Sequence, residues 1–122
     1  MKIFLFGIIL AAFFSLNACK TASIQQNVHK TDIKELVKNS ETILVDVRIP
    51  EQYAEETAKD AINIPLAEIQ NKAESLKGKK VVVFCNKGIQ ADEAVEMLKK
   101  NGVEVYDGKT LDNIKAIQNL KQ

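Results

Sequence analysis

The 122-residue sequence has few of the residues that commonly form metal or nucleic-acid sites. It contains one histidine, His29, and two cysteines, Cys19 and Cys85, so the ligand spacings of zinc and haem sites are missing. The net charge is only +1 and no run of basic residues stands out, which argues against a nucleic-acid-binding surface. We therefore expect no metal, no cofactor and no nucleic-acid partner.

The composition is that of an ordinary folded protein. At 46% apolar and 27% charged residues it is close to the globular average, which excludes a disordered or low-complexity chain. The length suits one domain, and a domain of about 100 residues can bury roughly two thirds of its unfolded surface. No internal repeat divides the sequence, so we expect a single core.

The first residues have the pattern of an export signal. Met1-Lys2 is followed by an apolar run over residues 3–16, too short to cross a membrane core of about 30 Å comfortably. The run ends in Leu16-Asn17-Ala18-Cys19, which resembles a bacterial lipobox. We predict a signal peptide over residues 1–18 and acylation of Cys19. The alternative is an ordinary secretory signal that leaves Cys19 as a plain thiol.

This prediction sets the expected domain organisation and location. Residues 20–27 are polar and patternless, so 19–27 are expected to be a tether and 28–122 the folded domain. Buried acyl chains on Cys19 would hold the protein on a membrane. The expected location is the cell envelope, lipid-anchored on the non-cytoplasmic side of a bacterial membrane, either periplasmic or at the outer membrane.

Along the rest of the chain, β-branched runs alternate with segments of helical periodicity. This alternation predicts an α/β fold with a small central parallel sheet flanked by helices. Strands are predicted at 42–47, 61–64, 79–84 and 103–106, followed by a turn at Asp107-Gly108. Helices are predicted from a cap at Thr31 or Asp32 to Lys38, and at 51–56, 66–76, 90–100 and 111–120.

The loop after the predicted strand 79–84 carries the one candidate nucleophile of the folded domain. The strand delivers Cys85 to its carboxyl end, where α/β sheets place their sites, and Gly88 permits an unusual backbone conformation. Successive amides of such a loop, together with the N-terminus of the next helix, favour a thiolate. The alternative is a small buried apolar cysteine at a strand end. The residues alone leave both interpretations open.

Four segments in order resemble the rhodanese-like family over nearly the whole predicted mature chain. They are Asp46-Val47-Arg48-Ile49-Pro50 with Tyr53, Ala61-Ile62-Asn63-Ile64-Pro65-Leu66, the six-residue loop Cys85 to Gln90, and Tyr106-Asp107-Gly108. The resemblance implies a central parallel sheet and a cysteine that carries sulfane sulfur as a persulfide. Cys85 would be that carrier. The amides of Asn86, Lys87, Gly88, Ile89, Gln90 and Ala91 would cradle its terminal sulfur, with Asp46 and Arg48 as supporting residues.

Two functions remain in competition. The first is a monomeric sulfurtransferase or persulfide carrier that takes sulfur from a small donor and passes it to a thiol or other nucleophile. The second is a non-catalytic binding module that uses the Cys85–Gln90 loop to hold an anion or a protein partner. Active rhodaneses often have arginine where this chain has Gln90. The absence of a loop arginine also argues against a phosphatase or arsenate reductase. His29 lies too far along the chain from the loop to be expected as a general base.

Overall fold

The computed structural model of the protein describes residues 31–121. Within this range the helices are α1 Ile33–Lys38, α2 Pro50–Glu55, α3 Leu66–Leu76, α4 Ile89–Lys100 and α5 Leu111–Asn119. The strands are β1 Ile43–Asp46, β2 Ile62–Asn63, β3 Lys80–Cys85 and β4 Glu104–Thr110. The predicted signal peptide, Cys19, the tether and His29 lie outside the described residues. None of the described helices is long and apolar enough to span a membrane.

The strands form one parallel sheet in the order β2-β1-β3-β4. A helix follows each strand, because parallel neighbours need a crossover connection. The predicted α/β fold, a small central parallel sheet flanked by helices, is confirmed.

The core lies on both faces of the sheet. Side chains alternate along a strand, so Val81 and Val83 of β3 pack with α3 and α4, whereas Val82 and Phe84 pack with α1 and α5. All four are fully buried, which explains why β3 is a continuous apolar run rather than an alternating one.

Several helix boundaries follow directly from local sequence signals. Helix α3 has the predicted bounds, with Ile69, Ala73 and Leu76 buried at helical spacing. Helix α1 begins after Asp32, whose carboxylate accepts the Lys34 amide at 2.9 Å. Pro50 occupies the first turn of α2, where a missing amide proton costs little.

The predicted turn at Asp107-Gly108 is wrong, because β4 continues through both residues to Thr110. In its register with β3, Val83 pairs with Asp107 and Cys85 pairs with Thr110, so β4 contains one extra residue. Gly108 does not reverse the chain; a glycine is needed there because the neighbouring atoms leave no room for a side chain. A Cβ at Gly108 would lie 2.8 Å from both Ile114 Cδ1 and Val82 Cγ1. The extra residue in β4 makes a β-bulge directly beside the end of β3.

Candidate active site

Cys85 is the last residue of β3 and lies where the order of the strands reverses. From β1 the chain passes through α2 to β2 on one side, and from β3 it passes through α4 to β4 on the other. In open α/β sheets, ligands bind outside the carboxyl ends of the strands at such a point. Cys85 is a free cysteine, the one cysteine among the described residues, and only 2% of its surface is exposed.

Three backbone groups contact the sulfur of Cys85. The amides of Gly88 and Ala91 donate to Sγ at 3.0 and 3.4 Å, and the thiol can donate to the Lys109 carbonyl at 3.8 Å. Gly88 caps α4 in the left-handed conformation, with φ of 88°, which glycine adopts without steric cost. Two amide donors at a helix N-terminus stabilise negative charge on sulfur. The arrangement is therefore suited to a thiolate nucleophile.

Cys85 is one of the residues that line an open cleft of about 340 Å³. The cleft is lined by Gln52, Cys85, Asn86, Lys87, Ile89 and Gln90. The predicted loop residues thus divide into two groups. Asn86, Lys87, Ile89 and Gln90 border the cleft, whereas Gly88 and Ala91 contact the sulfur through their amides. A larger cleft, of about 410 Å³, lies near the start of β1 beside Thr42 and Lys59, and no cysteine lines it.

Asp46 and Arg48 form a buried ion pair beside the loop. Asp46 is fully buried and Arg48 is 5% exposed. Arg48 Nε donates to Asp46 Oδ1 at 2.9 Å, and Nη2 donates to Oδ2 at 2.7 Å, in a bidentate arrangement. The Thr57 hydroxyl also donates to Oδ2, at 2.9 Å. Hydrogen bonding to Asp46 raises the pKa of Arg48, and burial only partly opposes this effect. The guanidinium is therefore permanently charged.

The same guanidinium connects the cysteine loop to the end of α2. Nη1 donates to Asn86 Oδ1 at 3.0 Å, and Nη2 donates to the Glu56 carbonyl at 2.5 Å. The Glu56 carboxylate in turn pairs with Lys115 on α5, and this pairing lowers the pKa of Glu56. Arg48 does not line the cleft. Its geometry therefore gives it the role of positioning the residue next to Cys85.

A second charged cluster lies on the other side of the sulfur. Lys109 Nζ contacts Asp107 Oδ2 at 2.7 Å and Asp92 Oδ1 at 3.3 Å. Hydrogen bonding to Asp107 raises the pKa of Lys109, so the ammonium stays protonated at neutral pH. Partial burial raises the pKa of Asp107, whereas hydrogen bonds to Asp107 and Lys109 lower the pKa of Asp92.

A rhodanese-like domain model matches residues 29–110, which is more than half of the chain. The chain belongs to the rhodanese-like family. It is 43% identical over 61 residues to the thiosulfate sulfurtransferase PspE of Escherichia coli, a match covering 48% of this chain and 59% of that protein. It is 35% identical over 74 residues to the thiosulfate sulfurtransferase GlpE of Coxiella burnetii, covering 59% of this chain and 69% of that protein.

Solved rhodanese structures resemble the fold. A structure described as rhodanese with anions, from E. coli, has 38% identity and a TM-score of 0.55, covering 59% of this chain and 89% of that one. A rhodanese-like domain from Anabaena has 28% identity and a TM-score of 0.58, covering 62% and 92%. The chain's match spans less than two thirds of the length of PspE. The relatives establish a rhodanese sulfurtransferase family as the general kind of protein.

Three residues of the site were not predicted from the sequence to belong to it. Gln52 lines the cleft from α2, and Thr57 completes the partners of Asp46 from the loop after α2. Lys109 approaches the sulfur through its carbonyl, an atom that every residue type possesses. Its long flexible side chain is typical of a solvated surface, and only its backbone conformation distinguishes it.

Proposed function

We propose that this protein is a sulfurtransferase or persulfide carrier that moves sulfane sulfur through Cys85 in the bacterial cell envelope. One observation carries the proposal: Sγ of Cys85 receives two amide hydrogen bonds, and Cys85 lines an open cleft. A cysteine that only filled the core would need neither the amide donors nor the cleft beside it. Membership of a family whose relatives are named thiosulfate sulfurtransferases supports the same chemistry.

The proposed reaction is two successive displacements at sulfur. The Cys85 thiolate attacks the outer sulfur of a donor, an S–S bond forms, and the donor's own sulfur bond breaks. The leaving group, sulfite from thiosulfate or a thiolate from an organic persulfide, departs with the electron pair. A nucleophilic acceptor then attacks the outer sulfur of the Cys85 persulfide and releases the thiolate. No net oxidation or reduction of the protein occurs over the cycle.

The charge around the cleft favours donors with little negative charge. Lys87 is the cation among the residues that line it, and Gln52 and Gln90 are neutral. Arg48 is paired with Asp46, so its charge is already balanced. A thiosulfate dianion approaching a thiolate meets repulsion that one exposed lysine offsets only in part. We expect organic persulfides to load Cys85 more readily than thiosulfate does.

The proposed setting follows from the amino-terminal sequence. Removal of residues 1–18 and acylation of Cys19 would place a monomeric domain at the membrane surface, on the non-cytoplasmic side. The proposed partners are a small sulfur donor and a thiol or other nucleophilic acceptor, without nucleic acid.

The deciding experiment is intact mass spectrometry of the purified protein after incubation with thiosulfate or with an organic persulfide. We expect a mass increase of one sulfur atom that a reducing thiol removes. The matched control is Cys85→Ser, a nearly isosteric change that should fold normally and gain no sulfur. If the wild-type protein takes up no sulfur from either donor, the transferase proposal is wrong.

The alternative is a binding module, and the low exposure of Cys85, at 2%, favours it. In that case the loop would hold an anion or a partner, and the thiol would be incidental. Cys85→Ser would then bind anions as tightly as the wild-type protein, measured by calorimetric titration with sulfite.

A further inference from the structure

Lys109 has a backbone conformation that lysine rarely adopts. Its φ is 67°, and among the described residues only Asp60 is another non-glycine residue with positive φ. Such conformations are strained and persist where the surroundings determine them. They also occur preferentially near functional sites. Lys109 is in the β4 bulge, directly beside the end of β3.

Two aspartates hold this conformation in place. Asp107 Oδ1 accepts the Lys109 backbone amide at 2.8 Å, and Asp107 Oδ2 accepts from Lys109 Nζ at 2.7 Å. Lys109 Nζ also reaches Asp92 Oδ1 at 3.3 Å. Asp92 lies in the first turn of α4, the helix whose N-terminus supplies the amides that contact Cys85. These ion pairs, the Lys109 clamp, therefore connect the bulge of β4 to the start of α4.

The Lys109 carbonyl lies close to both Cys85 and Gly88. Its carbonyl oxygen lies 3.8 Å from Cys85 Sγ. The same oxygen lies 3.9 Å from the position that a Cβ on Gly88 would occupy. A shift of the bulge would therefore move the Lys109 carbonyl relative to Cys85 Sγ and to the space beside Gly88.

We propose that Lys109 is a positioning residue for Cys85, because its clamp to Asp92 and Asp107 fixes the bulge that holds the sulfur against the Gly88 and Ala91 amides. The proposal rests on the proposed function in one respect, that Cys85 reacts as a nucleophile. Lys109 does not line the cleft. Its loss should therefore affect reaction at sulfur and leave substrate binding unchanged.

A simple charge effect can be separated from positioning. Asp92, Asp107 and Lys109 together carry one formal negative charge. Lys109→Gly adds a second negative charge, which disfavours a thiolate, and Asp92→Asn removes one, which favours it. If charge alone mattered, the two variants would change the reactivity of Cys85 in opposite directions. If positioning matters, both variants should lower it.

The test measures two quantities on the full-length wild-type protein and its variants: the rate of Cys85 alkylation by iodoacetamide, followed by intact mass, and steady-state sulfur transfer to cyanide. We expect Lys109→Gly and Asp92→Asn each to lower the alkylation rate and kcat by about fivefold to tenfold with KM unchanged, the effect of one misaligned hydrogen bond. Lys109→Arg, which keeps both ion pairs, should restore both rates.

Matched controls distinguish the effect of losing the Lys109 clamp from the effect of losing any other surface charge or ion pair. Glu93→Gln removes an adjacent exposed charge from the same turn of α4, and Lys77→Ala breaks an exposed ion pair with Glu74 at the end of α3. Both should leave the alkylation rate unchanged. Because glycine tolerates positive φ, Lys109→Gly should also fold at least as well as Lys109→Ala.

Three results would overturn the proposal. They are faster alkylation of Asp92→Asn, wild-type alkylation of Lys109→Gly, and a change confined to KM. Alkylation does not require sulfur transfer, so a protein that takes up no sulfur would refute the proposed function while the alkylation rates still decide the role of Lys109.

Discussion

Replacing Arg48 by methionine should strongly destabilise the domain, because the change leaves a buried carboxylate without its cation. Asp46 is fully buried, and the substitution removes every side-chain bond from the guanidinium to its two oxygens. Among the described residues, only the Arg48 backbone amide and the Thr57 hydroxyl would still donate to the Asp46 carboxylate. The bonds to the Glu56 carbonyl and Asn86 would also be lost.

Removing one partner of a buried ion pair typically costs about 3–5 kcal/mol. That is a large part of the roughly 5–15 kcal/mol by which a domain is stable. For a domain of this size, each kcal/mol lowers Tm by about 4–8 °C, so Arg48→Met should melt at least about 12 °C below the wild type. The assays are thermal unfolding, which gives Tm, and urea unfolding, which gives the free energy of unfolding, both followed by far-UV circular dichroism. An unchanged slope m in urea indicates that unfolding stays two-state.

The double variant Asp46→Asn with Arg48→Met tests the cause. With both charges removed and the shapes nearly kept, at least half of the lost stability should return. The control is Lys77→Met, which breaks an exposed pair with Glu74 and should cost no more than about 1 kcal/mol. A buried, uncompensated Asp46 carboxylate is not the cause if Arg48→Met costs no more stability than Lys77→Met, or if the double variant is less stable than Arg48→Met alone.

Further predictions concern the loop and the anchor. Gly88→Ala should lower the free energy of unfolding by about 1–2 kcal/mol, because Gly88 has a φ of 88°, and it should slow Cys85 alkylation. The control is Gly102→Ala, at a φ of 77°, which should lose similar stability and leave the alkylation rate unchanged. Gln90→Arg should raise sulfur transfer from thiosulfate to cyanide at least about tenfold by adding a charge-assisted bond to the dianion; no gain would refute the charge argument. Cys19→Ala should leave an unlipidated protein that is soluble on fractionation or keeps its signal peptide, and a wild-type N-terminus without lipid would contradict this.

The amino-acid sequence by itself determined most of the local structure. The periodic apolar residues predicted both ends of α3, and the β-branched runs predicted β1 and β3. These signals depend only on residues that are close together in the sequence. The resemblance to the rhodanese-like family is confirmed by the domain match, and it led to the prediction that Cys85 and its loop carry the chemistry. These inferences needed no knowledge of which segments meet in space.

The tertiary structure alone decided how the sulfur is held. The bulge at Gly108 depends on the register between β4 and β3, and an Asp-Gly pair taken alone indicates a turn. Lys109 becomes significant only because folding brings the first turn of α4 against the end of β4, so that Asp92 and Asp107 meet the same ammonium. Likewise, Arg48 and Asn86 are 38 positions apart and form their contact across two strands. Such contacts join residues that are distant along the chain, and no local pattern encodes them.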